Sequence, residues 1–366
     1  MKKNYFMLAA ATMMFAACAE TDLVNEVNME EAPKAIEFES FANKTTRAEI
    51  TGLTNLQTAG FQVWGYKYPS DATIVWEDVY SEVEEDETPE LVTKANYFTV
   101  FNGVDVSGAT WTYTGTQYWD ENSKYNFYAV APMAPKDGVT YDIDKGNIII
   151  EGASSAKSTA SDDYLIATAV TGQNGSDKGT VNFNFSHIMS KISFKLVAGI
   201  EEEIEVTSLK MSGWNVGTGT YTQGNNSEWA ITGNTTGALF LVGTDDATDE
   251  TITLTTNAPE VAVQDAYIMV PQTITYVPYE AEVKNDSGET ITAEVPESGL
   301  TFTISYKIGE EVFTNQVGIV TSDQIWAKNT HTTYTITVSP AEIKFNVATN
   351  HNFGWGDDET GSATIQ

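Results

Sequence analysis

Two residues of this 366-residue chain, Cys18 and Arg47, have types and positions suited to covalent processing. Cys18 is the only cysteine, and it follows two lysines, an apolar run from Phe6 to Phe15 and two alanines. A basic start, a short apolar stretch and small residues before a cleavage point are typical of an export signal. About a dozen apolar residues are too few to cross the hydrocarbon core of a membrane. The sequence therefore predicts that residues 1–17 are removed and that the mature chain begins at Cys18.

The four residues that end at Cys18, Phe-Ala-Ala-Cys, resemble a bacterial lipobox, although Phe15 stands where Leu is usual. Acylation of the Cys18 thiol and of the new amino terminus would hold the protein to a membrane without a spanning helix. Each buried methylene of such a chain contributes roughly 0.8 kcal/mol, so several acyl chains together give a stable anchor. We therefore predict lipidation at Cys18, with a plain secretory peptide and an incidental cysteine as the alternative.

Arg47 is the only arginine in the chain, and it lies in the polar stretch Lys44–Ala48. Exposed polar linkers are where proteolytic nicking concentrates. An arginine-specific protease would therefore cut between Arg47 and Ala48. The alternative interpretation is an ordinary surface arginine in a linker.

The segment just before this linker alternates apolar and acidic side chains, as a strand with one buried face does. We predict that Ile36, Phe38 and Phe41 belong to a first strand that is removed when the chain is cut after Arg47. The β-sandwich left behind would have an empty groove with unpaired backbone groups beside an apolar trough. Such a groove is a template for a strand from another chain.

The donor of that strand should be a terminal element that its own domain can release. Ile343, Phe345 and Val347 alternate with polar residues close to the C-terminus. They are the predicted donor-strand residues. The alternative, left open at this point, is that they form the last strand of their own domain.

Composition limits the kinds of partner that this chain can have. The formal net charge is -32, and it becomes -34 once residues 1–17, which carry Lys2 and Lys3, are removed. A strongly acidic surface repels phosphate backbones, so nucleic acid is not an expected partner. A single cysteine allows no internal disulfide, so stability must come from burial and hydrogen bonding. The acidic runs Glu82–Glu90 and Asp245–Glu250 predict solvated loops, with calcium binding as the alternative.

From Ile36 onward, short alternating segments rich in Val, Ile, Thr, Tyr and Phe are separated by Gly, Asn, Asp and Pro clusters. This pattern is typical of an all-β protein with antiparallel sandwiches, and no segment after the signal shows a sustained helical period. We predict a signal peptide, a propeptide over 18–47, and two sandwiches over 48–200 and 201–366. Examples of the predicted strands are 61–66, 97–101, 125–130, 147–150, 180–185, 192–197, 251–255, 266–270, 301–306, 332–338 and 343–347.

No residue pattern predicts catalysis, a metal site or a cofactor. The three histidines, His187, His331 and His351, are far apart and have no neighbour at metal-ligand spacing. His187 is predicted to be a packed or hydrogen-bonded structural histidine. The stretch Asp142–Asn147 has a calcium-like order of residues, but it lacks the terminal Glu of an EF-hand loop, so a turn is the better interpretation.

Several stretches together resemble the fimbrillin family of Bacteroidetes type V pilus subunits, in its Mfa-like branch. The resemblance covers nearly the whole chain, and it depends on the order of the stretches together with the lipobox and the Thr-Thr-Arg stretch that ends at Arg47. The stretches are 118–119 with 125–132, 162–167, 183–192, 270–274, Trp326 with 334–338, and Trp355.

This resemblance implies two transthyretin-like antiparallel β-sandwich domains in tandem and export as a lipoprotein to the outer membrane. It also implies maturation by an arginine-specific protease after Arg47, and assembly by donor-strand exchange with other copies or related pilus subunits. The expected location is the fimbrium at the cell surface, and the expected function is adhesion. The eight tryptophans favour an alternative, a lipid-anchored glycan-binding protein that does not polymerise, although core packing is the default for such residues.

Overall fold

Extended segments of Val, Ile, Thr and aromatic residues build nearly all of the structure, a computed structural model, which confirms the all-β prediction. The structure describes residues 33–41, 52–82, 88–156, 163–224, 228–243, 251–284, 290–340, 343–350 and 363–364. From Lys34 onward these residues belong to one compact unit. Within them, no helix has the length and apolar character needed to span a membrane.

The strands in the first half are short and closely spaced. They are β1 (Phe38–Phe41), β2 (Phe61–Pro69), β3 (Val79–Tyr80), β4 (Leu91–Thr93), β5 (Phe98–Val106), β6 (Ser123–Ala131), β7 (Thr140–Asp144), β8 (Asn147–Ser154), β9 (Leu165–Ala167), β10 (Val170–Asn174), β11 (Val181–His187) and β12 (Ser190–Ala198).

The second half contains longer strands. They are β13 (Ile204–Thr222), β14 (Glu228–Val242), β15 (Ile252–Leu254), β16 (Glu260–Met269), β17 (Gln272–Ile274), β18 (Val277–Lys284), β19 (Thr290–Ser298), β20 (Thr301–Ile308), β21 (Glu311–Ile319), β22 (Gln324–Trp326), β23 (Thr330–Val338), β24 (Ile343–Asn350) and β25 (Ala363–Thr364).

The only α-helix in the described residues is α1 (Gly52–Ala59), which the sequence did not predict. It buries Leu56 completely and leaves Leu53 exposed. Its eight residues make about two turns, which are too few for an apolar period of 3.6 to stand out.

The first sheet has seven strands in the order β1-β11-β9-β6-β2-β5, with β10 also paired to β6. β1 is therefore an edge strand, and its pairing with β11 is parallel. Both faces of this sheet are buried. One face contributes Phe61 and Phe127 to a first core, and the other contributes Trp64 and Tyr128 to a second core with Ile148 of β8.

The second sheet has the order β16-β12-β23-β24-β25, and the third has the order β21-β20-β13-β8-β7, with β14 and β15 also paired to β13. Side chains of both sheets share one large core, where Phe194 of β12 lies against Phe302 of β20 with ring centroids 6.0 Å apart. This is the face-to-face packing of a β-sandwich. β12 and β23 are parallel, so the prediction of antiparallel sandwiches does not extend to this pair or to β1 and β11.

Strands from both sides of residue 200 take part in the third sheet. β8, which precedes that residue, pairs with the distal half of β13, from Thr218 to Thr222. The division into sandwiches over 48–200 and 201–366 stays a prediction.

A tight hairpin joins β7 and β8, and it occupies the calcium-like stretch. Lys145 and Gly146 have φ of 49° and 80°, as a two-residue type I′ turn requires. Asp144 pairs with Asn147 across the turn. The turn interpretation is confirmed.

Candidate functional site

Apolar and acidic side chains alternate along β1 and the residues just before it. Ile36, Phe38 and Ser40 point inward and are 1%, 3% and 3% exposed. Glu37 and Glu39 point outward and are exposed. The predicted burial of Ile36 and Phe38 is confirmed. Ser40, the third inward residue, was missed, although a period of two counted from Ile36 would have found it.

Phe38 fills the centre of the first core. Its ring centroid lies 5.3 Å from Phe101, 5.5 Å from Tyr113, 5.8 Å from Phe183 and 6.1 Å from Phe127. The contact with Phe183 is stacked and the other three are edge-on, which are arrangements that aromatic rings favour. Four aromatic side chains from the rest of the protein therefore form a socket around the side chain at this position.

Backbone hydrogen bonds hold the segment on two sides. The Val181 N–H of β11 donates to the Glu37 carbonyl at 2.8 Å, and the Ile36 N–H donates to the Gln117 carbonyl at 2.8 Å. The Tyr113 hydroxyl donates to the Ile36 carbonyl at 2.8 Å. Burial raises the pKa of the Tyr113 phenol, so it stays a neutral donor at physiological pH.

A turn around Asp120 holds the start of this segment, near Lys34. The Trp119 N–H donates to the Lys34 carbonyl at 3.0 Å. The Asn122 N–H donates to the Asp120 carboxylate at 3.0 Å and is the main cause that lowers its pKa. Partial burial opposes this shift, and Lys67, 3.2 Å away, reinforces it. The Asp120 carboxylate therefore stays ionised to a lower pH than an ordinary aspartate does.

An open cleft of about 700 Å³ runs along residues 35–40. Its other walls are residues 109–113 and α1, which contributes Leu53 and Gln57. The Gln57 side-chain amide donates to the Ala109 carbonyl at 3.3 Å, which ties the helix to the opposite wall. β1 thus lies at a sheet edge, with β11 on one side and a solvent-accessible trough on the other.

The side chain of Ser40 packs less favourably than the other inward side chains of this segment. Its hydroxyl is buried and has no hydrogen-bond partner. An unsatisfied buried polar group costs about 1–3 kcal/mol. We expect Ser40→Val to raise the free energy of unfolding of the uncut precursor by about 1–3 kcal/mol, measured by urea denaturation. Ser40→Ala is the matched control and should gain less, because it fills less of the core; a loss of stability in both variants would contradict this assignment.

At the other end of the chain, β24 pairs antiparallel with β23 along its whole length, and Val347 lies opposite Tyr334. Val347 is half-buried and packs against the core that the second and third sheets share. The outer neighbour of β24 is β25, which has only two residues. Ile343 and Phe345 are placed through their backbones only, as is Phe41.

The processing residues predicted from the sequence, Cys18, Arg47 and Ala48, lie outside the described residues. Lipidation and cleavage at these positions stay predictions.

The histidines do not form a site with one another. His187 is buried, and its Nδ1 lies 2.9 Å from Asp163 Oδ1, so the prediction of a packed, hydrogen-bonded histidine is confirmed. His331 contacts the Ser193 hydroxyl through Nε2 at 2.7 Å, and His351 lies outside the described residues. Within the described ranges, no three His, Cys, Asp or Glu side chains cluster so as to hold a metal ion.

Tryptophans fill the cores rather than form a surface platform. Five of the seven described ones, Trp64, Trp111, Trp119, Trp214 and Trp326, are buried. Core packing, the default expectation for these residues, is therefore confirmed for most of them.

Sequence comparisons match most of this chain. The family model described as fimbrillin-like matches residues 46–353. A fimbrium subunit, Fim1C of Phocaeicola vulgatus, is 23% identical over 413 aligned positions that cover the whole of both chains.

Solved structures give weaker similarities. A putative cell adhesion protein from Bacteroides uniformis has a TM-score of 0.42 and 15% identity, and the alignment covers 89% of this chain and 100% of that one. The tip fimbrial protein Mfa3 from Porphyromonas gingivalis, with a C-terminal truncation, has a TM-score of 0.36 and 12% identity, with coverage of 88% and 100%.

Proposed function

The chain belongs to the fimbrillin-like family and is a fimbrial or adhesion subunit of the cell surface, and from this we propose a specific assembly route. The precursor is exported as a lipoprotein, acylated at Cys18 and anchored in the outer membrane. A protease specific for arginine cuts after Arg47 and releases β1. A neighbouring pilus subunit then donates a strand to the empty groove.

The observation that carries the proposal is the position of β1. Phe38 of β1 belongs to the first core, yet β1 is an edge strand whose covalent connection to the strands that follow runs through the linker containing Arg47. A cut six residues after Phe41 would therefore disconnect the strand without touching α1 or β2.

Loss of β1 would expose apolar side chains and unpaired backbone groups to water. The rings of Phe101, Phe127 and Phe183 would lose their contact with Phe38, and the edge of β11 would lose its backbone partner. Burying one such aromatic side chain is worth roughly 1.5–3 kcal/mol. An incoming strand recovers this energy together with the backbone hydrogen bonds, which drives assembly.

The C-terminal region supports the donor role. β24 is followed outward only by the two residues of β25, so its release disrupts one full ladder, the ladder with β23. In this proposal the donor residues are Ile343, Phe345 and Val347.

Cleavage of the purified precursor tests the proposal. We expect an arginine-specific protease to convert the wild-type precursor into a ladder of oligomers on a mildly denaturing gel. Arg47→Ala should remain monomeric under the same treatment, because β1 stays attached. Lys44→Ala, in the same linker, is the matched control and should polymerise normally. A cut precursor that stays monomeric at high concentration would overturn the assembly route.

A further inference from the structure

The hairpin formed by β3 and β4 carries apolar side chains that the fold does not bury. Val79, Tyr80, Leu91 and Val92 are 48%, 55%, 48% and 65% exposed. We propose that this hairpin is a docking surface for an extended basic segment of another protein, in which lysine or arginine alternates with apolar residues. The hairpin lies between β2 and β5, which stand at the end of the first sheet opposite β1. The inference therefore does not depend on the assembly route proposed above.

The exposed side chains lie on both faces of the hairpin. Tyr80 lies opposite Leu91, and Val79 lies opposite Thr93. Opposed residues share a face of a hairpin, whereas neighbours along one strand point to opposite faces. Each face therefore presents at least one apolar side chain to solvent. Clusters of exposed apolar side chains mark interaction surfaces in soluble proteins.

The backbone of the hairpin has edges that can accept another strand. The Ser81 N–H donates to the Glu90 carbonyl at 2.9 Å, which links the two arms of the hairpin. Within the part of the chain that the structure describes, β3 and β4 pair only with each other. Unpaired strand edges are templates for an added strand, and alternate residues of such a strand face the same side. An extended segment is therefore the form of partner that fits.

Hydrogen bonds fix the base of the hairpin. The Val75 N–H donates to the Asn96 side-chain oxygen at 2.8 Å, and the Asn96 side-chain amide donates to the Thr73 carbonyl at 2.9 Å. The Ala95 N–H donates to the Asp78 carboxylate at 2.8 Å. The two arms are thus tied to each other where they leave the body of the protein.

The base is also attached to two sheets. The ring of Trp76 packs against Tyr66 of β2 and against Tyr97, with centroid distances of 5.1 and 5.2 Å. Lys145, in the turn between β7 and β8, lies 2.9 Å from the Glu77 carboxylate. A docking surface on a fixed base loses less conformational freedom when it binds a partner.

Charge determines the chemistry of the partner. Asp78, Glu82 and Glu90 flank the apolar residues and are exposed. By sequence, residues 70–98 include nine acidic residues and one basic residue, Lys94. An acidic surface attracts lysine and arginine, and it repels nucleic acid, anionic lipid and a second copy of this chain, whose net charge is -32. The partner segment is therefore basic.

Binding of synthetic peptides to the uncut precursor tests this inference. The first fluorescent peptide alternates lysine with valine and phenylalanine. A second peptide has glutamate in place of lysine, and a third has serine in place of the apolar residues. We expect the first to bind at least about tenfold more tightly than the others, measured by fluorescence anisotropy at physiological ionic strength. Equal binding of the lysine–serine peptide would overturn the inference, because it would show only a general attraction to an acidic protein.

Substitutions locate the binding site. Tyr80→Ser with Leu91→Ser should weaken binding of the first peptide about tenfold, and Val92→Ser about threefold. Val92→Ser keeps the Tyr80–Leu91 pair, so its effect does not come from loss of the hairpin. The matched control, Val312→Ser with Val317→Ser, changes two similarly exposed residues of β21 and should leave the affinity unchanged. An unchanged affinity in Val92→Ser, or an equal loss in the control, would overturn the inference.

A charge comparison and sedimentation complete the test. Glu82→Gln with Glu90→Gln should weaken binding and reduce its dependence on salt. Glu310→Gln with Glu311→Gln removes two exposed charges beside β21 and should have a much smaller effect; equal losses would contradict the assignment. A wild-type dimer that Val92→Ser dissociates would also overturn the inference, in favour of a second copy as the partner. None of these measurements requires cleavage at Arg47, so their failure leaves the assembly route unaffected.

Discussion

Phe38→Ala should lower the free energy of unfolding of the uncut precursor by about 3–5 kcal/mol, the range measured for truncation of buried aromatic side chains. Phe38 is 3% exposed, and four aromatic rings contact it. Because β1 is an edge strand, the cavity would open toward the cleft beside it, so the strand should also leave the groove more readily. Urea denaturation measures the loss in stability.

The matched control is Glu39→Ala, which changes an exposed side chain of the same strand and should alter stability by less than about 0.5 kcal/mol. A second comparison uses the cut protein. If cleavage releases β1, wild-type and Phe38→Ala subunits become identical molecules from Ala48 onward and should behave alike. A difference that persists after complete cleavage would show that β1 remains bound.

The sequence predicted a strand near residue 38 and the burial of Ile36 and Phe38, because a period of two needs only a few residues to be recognised. It grouped Phe41 with them, whereas the third inward residue is Ser40. Ile36 and Phe38 alternate with Glu37 and Glu39, and no long-range information is needed to orient them. The same period of two also predicted β6, β11, β12, β20 and β23. The parallel alignment of β1 with β11 was not predictable, because it depends on a partner far along the chain.

β13 is not among the example strands predicted from the sequence, and its glycines give a physical reason. β13 is 19 residues long and contains Gly213, Gly217 and Gly219, which look like turn signals in the sequence. The structure accommodates them within the strand. At Gly213, φ is 119° and a Cβ would lie 2.0 Å from the Gly299 carbonyl oxygen, so only glycine fits. The register of β13 against β14 shifts near these positions, as it does where a strand bulges.

The site was predicted only in part because the side chains that form it come from segments that are distant in the sequence. Tyr113, which holds the backbone of Ile36, and Phe101, which contacts Phe38, were not singled out by any local pattern. The same holds for Asp163, since only the fold brings it to His187. The aromatic socket around Phe38 can be recognised only once the order of the strands in the sheet is known.

His187→Ala should lower the free energy of unfolding by about 1–3 kcal/mol, the cost of leaving a buried polar group without its hydrogen-bond partner. The side chains of His187 and Asp163 are 7% and 0% exposed, and Asp163 Oδ2 is buried without a hydrogen-bond partner. Loss of the imidazole would leave this carboxylate without its hydrogen-bond contact to Nδ1. His187→Gln keeps a donor within reach and should cost less. In a double-mutant cycle, Asp163→Ala should add little to His187→Ala, and full additivity would show that the two side chains do not stabilise each other.

Cleavage after Arg47 should distinguish the stability loss of His187→Ala from that of Phe38→Ala. His187 ends β11, the strand that pairs with β1 and that would pair with the donor. Because β11 stays in the subunit after cleavage, the His187→Ala loss should appear in both the uncut and the cut protein. The Phe38→Ala loss should vanish on cutting.

A His187→Ala subunit should therefore form less stable polymers even with a wild-type donor. This is measured as a lower denaturant concentration at which the oligomer ladder dissociates. An unchanged dissociation point would mean that β11 does not form the wall of the assembly groove.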